Sequence, residues 1–235
     1  MALSLSRAAV ARTVPFAAFS LMQALRGMWP EDGSGGFDPR WLDGATLLLV
    51  ATTLAWFWRE YGELVRQNLP SVNEAALAVG VGVLVFVLWI NLDGFRIGGP
   101  SVGFVPTDTE GRLIWPLIVL HGGVTALLVP LINELFWRSF LMRWLQSPQF
   151  EAVVPQRVGA KAIVLATFVF TPAHTLWLAA SLAGLASALL YVRTGKLWVP
   201  VIANAITNGA LVVCVIQTQR WAMWSACLGG GPWLS

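Results

Sequence analysis

The sequence predicts an all-α fold, a polytopic transmembrane helix bundle of about seven spans (six to eight). Three observations predict it. Hydrophobic residues fill 57% of the 235 positions and charged residues only 11%, whereas a soluble domain carries roughly 25% charged residues. The mean hydropathy is +0.68. The few charges also fall between uncharged runs that approach the roughly 20 residues a bilayer span requires. Together these exclude a soluble domain and a disordered chain. The net charge of +3 comes from scattered basic residues, which is no nucleic-acid footprint. The expected surroundings are the lipid bilayer, with no nucleic-acid partner.

Taken in order, Thr13–Leu25 lies behind Arg7 and Arg12 and reads either as a first helix or as a signal-peptide core. No A-x-A site follows it, which favours a retained helix. Gly44–Trp58 is short and needs its flanks; Ala75–Leu92, Leu113–Asn133 and Leu197–Gln219 each fit one span. Ala162–Val192 as a single helix would measure about 46 Å against a core of roughly 30 Å. Pro172 interrupts it, and the small residues of Ala180–Gly184 suit a tight turn, so it divides into spans at about 158–177 and 179–193.

With the N-terminus in the cytoplasm, Arg7, Arg12, Arg59, Arg66, Arg138, Arg143, Arg157, Lys161, Arg193 and Lys196 lie inside, while Arg26, Arg40, Arg96, Arg112 and Arg220 lie outside. That 10-to-5 split follows the positive-inside rule better than the 9-to-6 split left by merging the long run. Glu31, Asp32, Asp38, Asp43, Asp93, Asp108 and Glu110 collect in the outer loops. Trp41, Trp56, Trp58, Trp89, Trp137, Trp144, Trp198, Trp221 and Trp224 fall near predicted span ends, as an interfacial belt would. No loop is long enough to fold alone, so residues 1–235 form one integral-membrane domain. Cys214 and Cys227 have no framework spacing, and Cys214 reads as a small hydrophobe.

An ionisable residue within a span is a functional candidate by default. Glu134 and Arg138 are four apart and share a helix face. They read either as a buried functional pair or as a juxtamembrane salt bridge, because 21 uncharged residues precede Glu134. Pro130 argues for depth if it breaks the helix. His174 lies inside the longest uncharged run and reads as a site residue or as a neutral interhelical bond. Asn204 and Asn208, again four apart, read as site amides or as polar glue between helices. His121 reads as structural. A carboxylate, a guanidinium, an imidazole and two amides can make a hydrolytic set: a general base for water, and an amide for a developing oxyanion. A catalytic zinc wants three protein ligands; the chain has two histidines and no HExxH. No GxSxG supports a serine triad.

The stretch Val129-Pro130-Leu131-Ile132-Asn133-Glu134-Leu135-Phe136-Trp137-Arg138 resembles the Glu-Glu-x-x-x-Arg motif of the CAAX-protease and bacteriocin-processing (CPBP, or Abi) intramembrane protease family. Phe170-x-x-x-His174 resembles its second motif. Asn204-Ala205-Ile206-Thr207-Asn208 stands where its third, His-x-x-x-Asn, would be. The wording of Phe140–Leu145 and of Arg193–Trp198 is similar to the branch found with exosortase systems. The resemblance covers about residues 90–225. It implies an intramembrane endopeptidase with Glu134, Arg138, His174 and Asn208 as catalytic residues and Phe170 in support. It also implies a bacterial inner-membrane location, a membrane-anchored peptide or protein substrate, and exosortase-system partners. The resemblance fixes no cofactor, since a metal's part in the family is treated inconsistently; a divalent metal such as zinc would have Glu134 and His174 as its ligands.

Two positions depart from the pattern, since Asn133 replaces the first glutamate and Asn204 the third-motif histidine. An amide cannot accept a proton at neutral pH, so neither can serve as a base. The alternative reading is therefore a catalytically impaired pseudoprotease with a binding or scaffold role. A third is a small transporter or helper with a structural Glu134–Arg138 pair. Both family readings require Glu134, His174, Asn204 and Asn208 to converge on one cavity, expected to open toward the cytoplasm.

Overall fold

A computed structural model describes residues 6–29, 36–92, 95 and 103–225. Among them there is no strand, only an isolated antiparallel bridge between Thr107 and Leu113. Glu31, Asp32, Asp93, Arg96 and Cys227 lie outside the described residues. The helices are α1 (Arg7–Arg26), α2 (Leu42–Trp56), α3 (Val72–Asn91), α4 (Trp115–Gln146), α5 (Ala160–Phe170), α6 (Trp177–Thr194), α7 (Trp198–Thr218) and the short α8 (Ala222–Ser225). Five of them, α1, α3, α4, α6 and α7, are long and apolar enough to cross a membrane. The chain is a polytopic helical bundle of the integral-membrane kind; α2 and α5 are too short to cross on their own.

Local chemistry sets the boundaries. Ser6 caps α1. Ser71 and Glu74 form a capping box at the start of α3, and Lys196 Nζ reaches Glu74 at 2.8 Å. Gly195, at φ +69°, closes α6 in the left-handed conformation that glycine adopts without steric cost. The basic N-terminal end of the bundle is tied together by Arg7–Glu60 (2.8 Å) and Arg12–Glu63 (2.6 Å). At the far end Arg40 donates to the carbonyls of Val105 and Thr107.

Three expectations change. First, Pro130 does not end its helix. α4 continues to Gln146, twelve residues past Glu134. At 1.5 Å per residue Glu134 lies roughly 18 Å from that helix end, so it is not the last residue of its helix. The helix absorbs the proline by widening to π-helix over Val124–Leu128; a second π-helical stretch spans Leu135–Met142. Widening relieves the clash of the ring with the preceding turn. Second, the run Ala162–Val192 does divide in two, but at Thr171–Leu176 around Pro172, not at Ala180–Gly184. The small residues there serve close packing: a Cβ on Gly184 would lie 3.0 Å from Phe170 Cδ1. Third, Trp89, Trp137 and Trp224 are buried core residues and not an interfacial belt; Trp56 and Trp58 stay exposed at the end of α2 and just beyond it.

α3 approaches α7 at backbone distance. A Cβ on Gly82 would meet Ala203 O at 2.5 Å, and Thr207 Oγ1 donates to Gly82 O at 2.8 Å. Small residues at such crossings are the usual means of packing helices in lipid. The contact makes α3 a wall of the space between α4, α6 and α7.

Candidate active site

That space is a pocket whose empty volume, open solvent included, is about 540 Å³. α4 supplies Asn133, Glu134 and Arg138; the end of α5 and the break after it supply Phe170 and His174; α7 supplies Asn204 and Asn208. The structure thus puts all seven residues singled out from the sequence around one space. Sequence reasoning missed the rest of the lining. Val81, Val85 and Trp89 repeat every four residues on one face of α3, and Ser187 and Thr207 complete the walls. An apolar stripe facing a pocket and one facing lipid have the same pattern, so only the small-residue spacing around Gly82 hinted at a tight partner for α3.

Glu134 is fully buried. Its Oε1 accepts from Asn204 Nδ2 at 3.1 Å, and its Oε2 lies 3.3 Å from Arg138 Nε. Arg138 also donates from Nη2 to Gly184 O at 3.0 Å and lies over the Phe170 ring, 4.9 Å from its centroid. Each partner of this buried pair thus has one further hydrogen bond, while Glu134 Oε2 and Arg138 Nη1 are buried without one.

His174 sits on irregular backbone between α5 and α6. Unwound backbone at membrane depth is tolerated where it is buried in protein or lines a cavity. The structure satisfies the freed groups in several ways. His174 N donates to Thr171 O at 3.0 Å, and Thr171 Oγ1 meets Ser181 Oγ at 2.9 Å. His174 Nδ1 lies 3.2 Å from Phe170 O. A carbonyl can only accept, so Nδ1 carries the ring proton and Nε2 is left as an acceptor. Phe170 therefore supports His174 through its carbonyl and Arg138 through its ring. The edge of Trp89 packs on the imidazole at 6.0 Å.

Asn208 donates from Nδ2 to Thr125 O at 2.9 Å. Asn133 is partly exposed and lines the pocket beside Glu134. The donor set does not fit zinc. Glu134 and His174 are the pocket's only carboxylate and imidazole, the other polar groups being amides, hydroxyls and a guanidinium. Among the described residues no group of three or more His, Cys, Asp or Glu could hold a metal ion, and a catalytic zinc wants three protein ligands.

A second buried polar cluster lies apart from the pocket. Asp43, placed by the sequence reading in an outer loop, is in the first turn of α2 and is buried. Its Oδ2 lies 2.7 Å from His121 Nδ1, and its Oδ1 lies 3.6 Å from Arg26 Nη1. Phe104 stacks on the His121 ring at 3.9 Å, with Trp224 edge-on at 4.8 Å.

Residues 115–210 match the family model described as type II CAAX prenyl endopeptidase Rce1-like. The matched segment contains every site residue on α4–α7; α1–α3, including the α3 wall, lie outside it. Comparisons with curated proteins and with solved structures return no match.

Proposed function

We propose that the chain is an intramembrane endopeptidase of the CAAX-protease type, hydrolysing a peptide bond of a membrane-associated protein. One observation carries this reading: side chains from three separate stretches, all within the segment similar to type II CAAX prenyl endopeptidases, line a single buried pocket. Glu134 and His174 hold a water between them. His174 Nε2 is the base with a lone pair to spare, since its Nδ1 is committed to Phe170 O. The water oxygen attacks the peptide carbonyl carbon as its proton passes to this pair. The Asn208 amide donates to the developing oxyanion, a contact typically worth about 10²–10³ in rate. Collapse expels the amine, which takes the proton back. Arg138 orients Glu134 and balances its charge. The same reading sets the N-terminus in the cytoplasm of a bacterium, with the bundle in the inner membrane. Exosortase-system proteins are then the partners that the resemblance implies.

A second reading has its own observation. Asn204 occupies one oxygen of Glu134 and Arg138 lies against the other, while Asn133 cannot act as a base. A carboxylate held this way suits a pseudoprotease that binds a membrane peptide without cutting it. The deciding experiment compares the chain in lipid nanodiscs with its Asn133→Glu/Asn204→His variant on a panel of membrane peptides, prenylated and unmodified. Cleavage by the unaltered chain, lost in Glu134→Gln and in His174→Ala, establishes the protease. Cleavage only by the double variant establishes the pseudoprotease.

A further inference from the structure

Pro130 lies in the middle of the helix that carries Glu134, four residues before it, and is buried. A proline in a helix interior removes one hydrogen bond and crowds the preceding turn. In α4 that turn is π-helical, and its hydrogen-bond register shows what the proline does there. The N–H of Val129 donates to Val124 O, five residues back. The next nitrogen in this register is that of Pro130, and its counterpart is Thr125 O. Pro130 has no hydrogen to give. The backbone therefore leaves the Thr125 carbonyl unclaimed inside the bundle, where an unpaired acceptor is costly.

Asn208 claims it. Its Nδ2 donates to Thr125 O at 2.9 Å, and both residues are buried. Only one orientation of the amide is compatible with this partner, because a flipped amide would set two acceptor oxygens face to face. The Thr125 side chain does not compete, since its hydroxyl is turned to His121 O at 2.7 Å. The second N–H and the Oδ1 of Asn208 are the amide groups left over in the pocket that this residue lines.

We propose that Pro130 and the π-helical turn Val124–Leu128 are positioning elements for Asn208, freeing one backbone carbonyl that fixes which way its amide faces. Positioning of the amide rests on the geometry above; its service to an oxyanion rests on the protease reading. Pro130 acts through Asn208 and touches no substrate.

Pro130→Ala tests this by returning an N–H that Thr125 O can accept. A thermodynamic cycle with Asn208→Ala in the same nanodiscs separates the roles. Asn208→Ala alone leaves the carbonyl unpaired, and Tm falls. In that background Pro130→Ala supplies the missing donor and raises Tm by about 2–4 °C more than it does in the unaltered chain. Pro130→Gly returns the same N–H and repeats the cycle should the alanine variant fold poorly. Equal Tm shifts in both backgrounds would overturn the proposal, because a proline of purely structural value is indifferent to residue 208. Where the chain cleaves peptide, Pro130→Ala lowers kcat at least fivefold with KM unchanged, and has no further effect once Asn208 is alanine. An unchanged kcat beside coupled Tm shifts overturns the catalytic value of the positioning. A chain that cuts no peptide sinks the protease reading, while the Tm cycle still decides the anchoring.

Discussion

Two buried clusters in this bundle use the same three groups, a carboxylate, an imidazole and a guanidinium. In one, Glu134 and Arg138 share a pocket with His174; in the other, Asp43 joins His121 to Arg26. They differ in where the imidazole spends its bonds. His174 gives Nδ1 to a backbone carbonyl and borders a cavity. His121 gives Nδ1 to the carboxylate itself, and its ring is covered by Phe104 and Trp224. The second cluster joins α1, α2 and α4 to each other, and its His121 and Asp43 are almost fully buried. Residue inventory alone therefore does not separate the two clusters: His121 Nε2 is also left without a partner, and what differs is the pocket beside Glu134 and His174.

The sharpest way to break this contrast is to remove each carboxylate in turn. On the protease reading Glu134→Gln should lower kcat by about 10²–10⁴, the range for loss of a group that shares in the proton transfer, beyond the fall in Tm that follows from leaving Arg138 without its partner. Asp43→Ala should lower Tm alone. Removing one partner of a buried pair costs about 3–5 kcal/mol, so thermal unfolding should shift strongly while kcat per folded molecule holds. A loss of kcat in Asp43→Ala at full folding would make the far cluster part of the site.

This contrast also explains what could be read in advance. Glu134, Arg138 and His174 stood out because a chain with 11% charged residues has few ionisable groups to spare inside its spans. Asp43, Arg12 and Glu63 did not stand out, since charges near span ends look like loop charges until a tertiary partner buries them. The division of Ala162–Val192 was legible from its length, but its place was not. Small residues such as Ala180 and Gly184 suit both a turn and a close helix crossing, and the Phe170 ring decided for the crossing. The π-helical stretches of α4 were illegible because their register is visible only in hydrogen bonds. The α3 wall was illegible because Val81, Val85 and Trp89 would look the same facing lipid.

Two glycines offer a smaller test of the same contrast. Gly122 follows His121, and a Cβ there would lie 3.1 Å from Val212 Cγ1; at Gly184 it would lie 3.0 Å from Phe170 Cδ1. Each alanine Cβ requires its neighbour to give by a few tenths of an ångström, and overpacking where it cannot costs about 1–3 kcal/mol. Gly122→Ala should change Tm alone. Gly184→Ala should also lower kcat several-fold, because its carbonyl holds Arg138 and its Cβ pushes on the residue whose carbonyl orients His174. Equal kcat values for the two variants would mean that the Phe170 contact does not set the imidazole.

The smallest effect is expected at the third charged cluster, which meets α4 at Ser139, next to Arg138, but does not line the pocket. Arg12 pairs with Glu63 at 2.6 Å, and Ser139 donates to the same carboxylate. Burial pushes the Glu63 carboxyl up, but the Arg12 guanidinium and the hydrogen bonds from Arg12 and Ser139 outweigh it and hold the group below the usual range. A carboxyl depressed in the folded state contributes stability above its unfolded pKa, and that stability is lost as pH falls through the folded value. Unfolding followed from pH 6 to below pH 4 should therefore show the unaltered chain more stable than Glu63→Gln by about 1–2 kcal/mol at pH 6, with the two curves converging in acid. Parallel curves would show that Glu63 titrates alike folded and unfolded. Because Ser139 adjoins Arg138 yet turns away from Glu134 to Glu63, kcat at pH 7 should be the same in both chains. A kcat that followed Glu63 would extend the working site beyond the pocket to the α1–α4 seam.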